Sequence, residues 1–220
     1  MSTPGGYLRA VPRLIVLAKA PRPGVSKTRL CPPLSPREAA DLAEVALRAT
    51  LQAVMSTPGC RPLLILEGPV GSWTPSIEVL PQRGNTLGER LTAAFEDAHG
   101  PALVVGMDTP QVTPELLTKG LDHLCRPDLE AVLGPSSDGG YWAVGLKKAH
   151  PEAFLDIPMS TSWTGAAQRA TFERLALRCA CLTELSDFDL FDDARRVASG
   201  MPGSEFARAV DSLCVQETSA

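Results

Sequence analysis

The sequence is short of several things, and each shortage removes a class of function. Aromatic residues are only 5% of the 220 positions. No apolar run approaches the ~20 residues of a membrane-spanning helix; the longest, Leu14 to Ala18, suits a buried strand. The opening MSTPGGYLRAVPR has no apolar core of signal-peptide length, so a cytoplasmic protein with no membrane partner is expected. Histidines number three (His99, His123, His150) and sit apart, so neither a Ser-His-Asp nor a Cys-His relay can be assembled from them. The six cysteines contain no C-x-x-C pair, which removes the usual zinc spacings and, without a secretory signal, a disulfide scaffold. They read as reduced, mostly buried thiols.

Acidic residues are also missing from one place. Residues 1–37 carry seven basic side chains (Arg9, Arg13, Lys19, Arg22, Lys27, Arg29, Arg37) and no carboxylate, yet the net charge is −4. The overall balance argues against nucleic acid as the main partner. A basic island in an acidic chain suits a small polyanion held in one spot.

What is present alternates. Arg13 to Ala18 is apolar on both faces, as in a fully buried strand. Ser35-Pro36-Arg37-Glu38 combines an N-cap, a proline at the first helical position and a capping-box glutamate. Strands are expected at 62–66, 77–80, 102–106, 131–134, 141–146 and 178–182. Helices are expected after Thr86-Leu87-Gly88-Glu89 and Thr113-Pro114, and over 163–177 and 191–198. Such alternation means a mostly parallel sheet covered by helices on both faces. Residues 1–10 and 216–220 read as loose ends.

In such folds ligands gather at the carboxyl ends of strands. Four loops there stand out. The sixteen residues KAPRPGVSKTRLCPPL after the first strand present Lys19, Arg22, Lys27 and Arg29 around Gly24. Fixed cations with a close backbone suit a triphosphate, although a solvated basic loop would look the same, and no Walker motif is present. Gly106-Met107-Asp108-Thr109-Pro110 puts Asp108 directly after a buried strand, where it serves a hard cation such as Mg²⁺ or caps the following turn. In Glu184-Leu-Ser-Asp187-Phe-Asp189-Leu-Phe-Asp192-Asp193, alternation turns Asp187 and Asp189 to one side, and Asp189 is the favoured second metal ligand. Asp192 and Asp193 suit the first turn of a helix. The fourth place joins Ser137-Asp138-Gly139-Gly140 to Ser160-Thr161-Ser162, which could bind an acceptor phosphate or sugar or be a hairpin turn and an N-cap.

AKAPRPGVSKTRLCPPLSP, LGERL, GMDTPQVTPELL, LGPSSDGGYWAVGL, IPMSTS and DFDLFDDA, in this order, resemble a bacterial glycosyltransferase-like family of the GT-A, or nucleotide-diphospho-sugar transferase, superfamily. Within it the chain is similar to 2-phospholactate (phosphoenolpyruvate) guanylyltransferases, especially at Lys27-Thr28-Arg29-Leu30, over roughly residues 13–198. The resemblance implies a Rossmann-like three-layer α/β/α sandwich with a mostly parallel mixed sheet, preceded by a tail at 1–12 and followed by an extension at 199–220. It implies Mg²⁺-dependent transfer of a nucleotidyl group from an NTP to a small phosphate- or phosphonate-bearing acceptor. The nucleotide would lie on Leu17, Ala18, Lys19, Lys27, Arg29, Gly88 and Asp108, with Lys27 and Asp108 catalytic, Asp108 and Asp189 on the metal, and Asp138, Gly139, Gly140, Ser160, Thr161 and Ser162 at the acceptor. Glycosyl transfer from a nucleotide-sugar, or nucleotide binding without catalysis, stays open. The sequence departs from the superfamily in Leu17-Ala18-Lys19-Ala20, where Leu-Ala-Gly-Gly is common, and in lacking a Thr-Pro pair after Asp189.

Overall fold

The computed structural model describes residues 10–217, so positions 1–9 of the expected tail and 218–220 of the expected loose end lie outside the described residues. Seven strands form one sheet: β1 (Arg13–Lys19), β2 (Arg61–Glu67), β3 (Glu78–Pro81), β4 (Ala102–Val105), β5 (Ala131–Pro135), β6 (Tyr141–Leu146) and β7 (Cys179–Cys181). Their order is β3-β2-β1-β4-β6-β5-β7. Every pairing is parallel except those of β6, which runs antiparallel to both β4 and β5. The mostly parallel mixed sheet expected of the fold is the one observed.

Among the described residues there are six α-helices, α1 (Pro36–Ser56), α2 (Leu87–Ala98), α3 (Pro114–Cys125), α4 (Thr164–Arg174), α5 (Phe191–Ser199) and α6 (Glu205–Glu217); the first four lie between strands and the last two follow β7. Both expected capping boxes close. Ser35 accepts from the Glu38 amide while Glu38 accepts from the Ser35 amide, and Thr86 and Glu89 do the same. Each satisfies two amide donors that a helix start would otherwise leave open.

The period-two alternation of β1 sorts its side chains to two cores. Leu14, Val16 and Ala18 pack with Leu47, Leu51 and Val54 of α1 and Leu117, Leu121 and Leu124 of α3. Ile15 packs on the opposite face with Leu91, Ala94 and Phe95 of α2 and Phe172 of α4. Burying each large aliphatic or aromatic side chain contributes roughly 1.5–3 kcal/mol, which is why a strand apolar on both faces belongs at the sheet centre. No helix among the described residues is long and apolar enough to cross a membrane.

A third cluster lies beyond the sheet. Leu30 and Leu34, from the long basic loop, pack against Ala39, Leu42 and Ala46 of α1, Phe191, Ala194 and Val197 of α5, and Phe206, Ala207 and Val210 of α6. The segment read as a C-terminal extension therefore carries, in its described part, a helix that shares a core with that loop.

One expectation fails. None of the six cysteines is fully buried: Cys125 and Cys181 are exposed and the other four half-buried, with no disulfide among the described residues. Cys179 and Cys181 lie on the edge strand β7, and an edge has only one neighbour to cover it. Even so, burial pushes the Cys179 thiol up to about 12, so it stays protonated and inert.

Phe206 is fully buried, its ring 5.0 Å from that of Phe188. Phe206→Ala should cost about 3–5 kcal/mol, read as a lower urea midpoint at unchanged slope. A loss below about 1 kcal/mol would mean that α6 is not part of the folded unit.

Candidate active site

The chain leaves β1 for β2 on one side and later returns to place β4 on the other. Neighbouring strands whose connections diverge leave a crevice at their carboxyl ends. That crevice is a cleft of about 310 Å³ with an apolar floor of Leu17, Leu91, Val104 and Val144, and with Lys19, Gln82, Arg90 and Asp108 at its edges. A second, more polar hollow of about 250 Å³ adjoins it through Lys19, Met107 and Asp108, and is closed by Ser26, Lys27, Arg29 and Asp189. Leu17, Ala18, Lys19 and Asp108 thus line the cleft, while Lys27, Arg29 and Asp189 line the hollow, which Lys19 and Asp108 share.

Lys27 is the node between three distant segments. Its ammonium lies 3.0 Å from Asp108 Oδ1 and 3.0 Å from Asp189 Oδ1, donates to the Phe188 carbonyl, and sits 4.4 Å from the Phe188 ring centroid. Only 8% of the side chain is exposed. Burial works against the charge, but Asp108 and Asp189 outweigh it and hold the ammonium above the ordinary lysine range. The backbone at Lys27 is left-handed, with φ 49°. A non-glycine residue held there costs energy that the surroundings must supply, and such positions cluster at working sites. Here the two carboxylates, the carbonyl and the ring supply it.

Arg29 reaches Asp189 Oδ2 at 2.9 Å from the exposed side. Lys19 leans on Glu67 at 3.5 Å, and its amide donates to Met107 Sδ at 3.3 Å. The tandem carboxylates of the acidic stretch part company. Asp189 joins Lys27, whereas Asp187 accepts from Ser136 Oγ at 3.1 Å and feels the charge of Asp138. The Asp193 carboxylate accepts from the Leu190 amide at 3.0 Å, and Asp192 is 85% exposed on the first turn of α5. Both serve the helix start, as expected.

The expected acceptor loops come together, but largely to hold each other. A Cβ on Gly139 (φ +90°) would fall 1.8 Å from the Ser162 carbonyl oxygen, and Gly165 donates to the Gly139 carbonyl at 2.8 Å. Asp138 accepts from the Gly140 amide at 2.8 Å, closing the β5–β6 hairpin. Thr161 donates to the Pro158 carbonyl, while Ser160 and Ser162 are exposed. No hydrogen bond or ion pair among the described residues joins 160–162 to Lys27, Asp108 or Asp189; the link runs through Gly139 and Asp138 to Asp187. Gly88 lies outside the cleft, where a Cβ would meet the Phe154 carbonyl at 2.7 Å. It lets α2 approach that backbone.

Sequence reasoning missed Glu67, Gln82, Arg90 and Met107. The position of Met107 inside the Gly106–Pro110 loop could have flagged it. Arg90 lay inside the LGERL motif, whose Gly88 drew the attention instead, while Glu67 and Gln82 had no signal, because only strand order brings them beside residue 19.

Comparison with known proteins adds a second line. A family model described as "Uncharacterized protein conserved in bacteria (DUF2064)" matches residues 41–161, more than half of the chain. The chain is 31% identical over 175 residues to the 2-phospho-L-lactate guanylyltransferase of Haloarcula marismortui, covering 79% of this chain and 74% of that protein. Among solved structures it superposes on a nucleotide-diphospho-sugar transferase candidate from Desulfovibrio desulfuricans G20 with TM-score 0.81 and 24% identity, covering 94% and 95% of the two chains. A cytidylyltransferase from Leptospira borgpetersenii serovar Hardjo-bovis gives TM-score 0.55 at 9% identity, covering 94% and 95%. These structural likenesses establish the shared Rossmann-like, GT-A-type fold.

The two tandem aspartates should titrate on opposite sides of the ordinary value of 3.8. For Asp187, burial and the Asp138 charge raise the pKa. For Asp189, burial alone would raise it, but Lys27 and Arg29 outweigh burial and lower it. The Asp189 contribution to stability is therefore complete above pH 3.8 and fades as pH falls through its lowered pKa, while the Asp187 penalty is relieved on acidification. Carboxyl-carbon NMR titration of the metal-free protein should give the order Asp189 below Asp187, with Lys27→Met moving Asp189 upward. The reverse order would mean that Lys27 and Arg29 do not hold Asp189.

Proposed function

The chain belongs to the DUF2064 family, and on that premise we propose that it is a nucleotidyltransferase, moving an NMP from an NTP to a small acceptor bearing a phosphate or phosphonate, with release of pyrophosphate. One observation carries the reading: a buried lysine shared by two carboxylates stands where an apolar cleft of base-accepting size meets a hollow rimmed by cations. The base would lie in the cleft, and the triphosphate would cross Lys19 and Met107 into the hollow with Lys27 and Arg29. The haloarchaeal relative is named for guanylyl transfer, so GTP is the first donor to try.

Asp108 and Asp189 would hold Mg²⁺. Among the described residues no third histidine, cysteine or carboxylate joins them. That donor set fits Mg²⁺, which typically takes one or two carboxylates and completes its shell with substrate phosphates and water. Bound there, the ion would neutralise phosphate charge and align the phosphates.

The chain's own groups do the rest by position and charge. An acceptor oxygen attacks the α-phosphorus, the bond to the bridging oxygen of pyrophosphate breaks, and that oxygen leaves with the electron pair. Lys27 faces the carboxylates in a fixed backbone conformation, so its ammonium can meet charge growing on the phosphoryl oxygens with little reorganisation. Arg29 and Lys19, more exposed, hold the phosphates in the ground state. Asp187, Asp138 and the hydroxyls of Ser160, Thr161 and Ser162 would border the acceptor.

Incubating the protein with each NTP, Mg²⁺ and a panel of phosphorylated and phosphonate acceptors, with pyrophosphate as readout, tests the reading. Pyrophosphate release that needs both NTP and acceptor is expected. Binding of a nucleotide-sugar without pyrophosphate from any NTP would replace it with glycosyl transfer.

Asp108→Asn and Asp189→Asn should each abolish turnover in a folded protein, whereas Asp192→Asn should stay within about twofold of wild type, as surface changes usually do. Steady-state kinetics with circular dichroism as the folding control decides this, and equal losses at all three would refute the metal assignment.

Lys27→Ala should lower kcat about 10²–10³-fold with only a modest rise in KM for the nucleotide. In a glycosyltransferase the bond breaks at the anomeric carbon, and the same change would raise donor KM instead. A kcat untouched by Lys27→Ala would overturn the proposed role.

A further inference from the structure

The cleft floor is apolar, yet one guanidinium is fixed by three hydrogen bonds at its edge. Arg90, on the first turn of α2, is 19% exposed. Its Nη1 donates to the Glu67 carboxylate and to Gln82 Oε1 at 3.2 Å, and its Nε donates to the Gly84 carbonyl at 3.2 Å. Gln82 is itself pinned. Its side-chain amide donates to the Ala18 carbonyl at 2.6 Å and its backbone amide to the Leu66 carbonyl at 3.0 Å, so it is fastened to the ends of β1 and β2. Both N–H groups of Arg90 Nη2 are left over: no hydrogen bond among the described residues uses them. A fixed guanidinium with two spare donors on the rim of an apolar slot is equipped to read a flat ligand's edge.

We propose that Arg90 is the base-reading residue of the cleft, selecting a purine that presents two adjacent acceptors, as guanine does with O6 and N7. Glu67 and Gln82 are positioning residues that hold it. This assignment rests on the reading of the cleft as the base site. Adenine offers N7 beside an N6 amino donor, which would face the Arg90 donors unpaired. Cytosine offers an amino donor at the corresponding edge, and uracil a lone acceptor beside a C–H. Glu67 does a second thing: its carboxylate also lies 3.5 Å from the Lys19 ammonium. One carboxylate thus holds the group that reads the base and a group that meets the phosphates, which fixes the distance between those two ends of the nucleotide.

The test is equilibrium binding by titration calorimetry, with Mg²⁺ and without acceptor, of GTP, ITP, 7-deaza-GTP and ATP. ITP keeps O6 and N7 and should bind within about twofold of GTP. 7-Deaza-GTP lacks N7 and should bind about tenfold more weakly, and ATP about ten- to a hundredfold more weakly. Arg90→Gln should erase the GTP-to-ATP affinity ratio, bringing the two nucleotides to within about twofold of each other. Glu67→Gln should shrink the GTP-to-ATP ratio without removing it, a ratio that a purely structural role would not move. ATP or 7-deaza-GTP binding as tightly as GTP in the wild type overturns the assignment, and that comparison needs no variant to fold. A GTP preference that survives Arg90→Gln overturns it too. Because acceptor is absent, base discrimination through Arg90 without pyrophosphate release in any assay would overturn nucleotidyl transfer and leave Arg90 as the reader.

Discussion

The shared lysine sets the terms for the rest of the site. An ammonium only 8% exposed would lose its charge unless compensated, and Asp108 and Asp189 compensate it from elements 81 and 162 residues away in sequence. Lys27 is buried while its two carboxylates are nearly half exposed, so the loss of either carboxylate leaves the ammonium with one compensating charge, and the three segments are coupled through that one group. The left-handed backbone at Lys27 belongs to that coupling as well. It aims the side chain inward, and the loop could not hold the conformation without the contacts at its tip.

That loop is long for a strand-to-helix connection, and its order needs a cause. Leu30 and Leu34 supply it by entering the cluster of α1, α5 and α6. The polar first half of the loop then stays close to the sheet end, with Ser26 hydroxyl donating to the Ala20 carbonyl at 3.3 Å and accepting from the Arg22 amide at 3.0 Å. Apolar anchoring on one side of Lys27 and turn hydrogen bonding on the other turn a basic segment into a defined cationic wall.

Much of this was legible in the chain, and the reasons for the failures are specific. Strands and helix starts were readable because their signals are local: β1 is apolar on both faces, and the capping boxes at Ser35 and Thr86 lie within four residues. Asp108 stood out by following a buried strand, and Asp189 was separated from Asp192 by the alternation of Phe188 and Leu190. What could not be read was pairing across strand order. Lys27 was expected against phosphates, and its contact with both carboxylates at once depends on β1, β4 and the segment before α5 ending together. Glu67 and Gln82 are ordinary polar residues in sequence, and even Arg90, inside the LGERL motif, gains meaning only where β2, β3 and α2 meet. Gly88 and Gly139 both permit close backbone packing, and in sequence a glycine that does so looks the same as one that admits a ligand.

The end of the chain bears on the same lysine. Phe188, whose ring lies beneath the Lys27 ammonium and whose carbonyl accepts from it, is fully buried and has the Phe206 ring 5.0 Å away. A cation over an aromatic face is stabilised most when desolvated, and Phe206 of α6 is among the side chains that pack around Phe188. Were α6 removed, water would reach that ring, the cluster holding Leu30 would open, and the loop carrying Lys27 would lose its apolar anchor. Charge placement at the site and packing at the C-terminal helix are two ends of one column of contacts, running Lys27, Phe188, Phe206. The loop that carries Lys27, near the start of the chain, therefore depends for its shape on residues near the end.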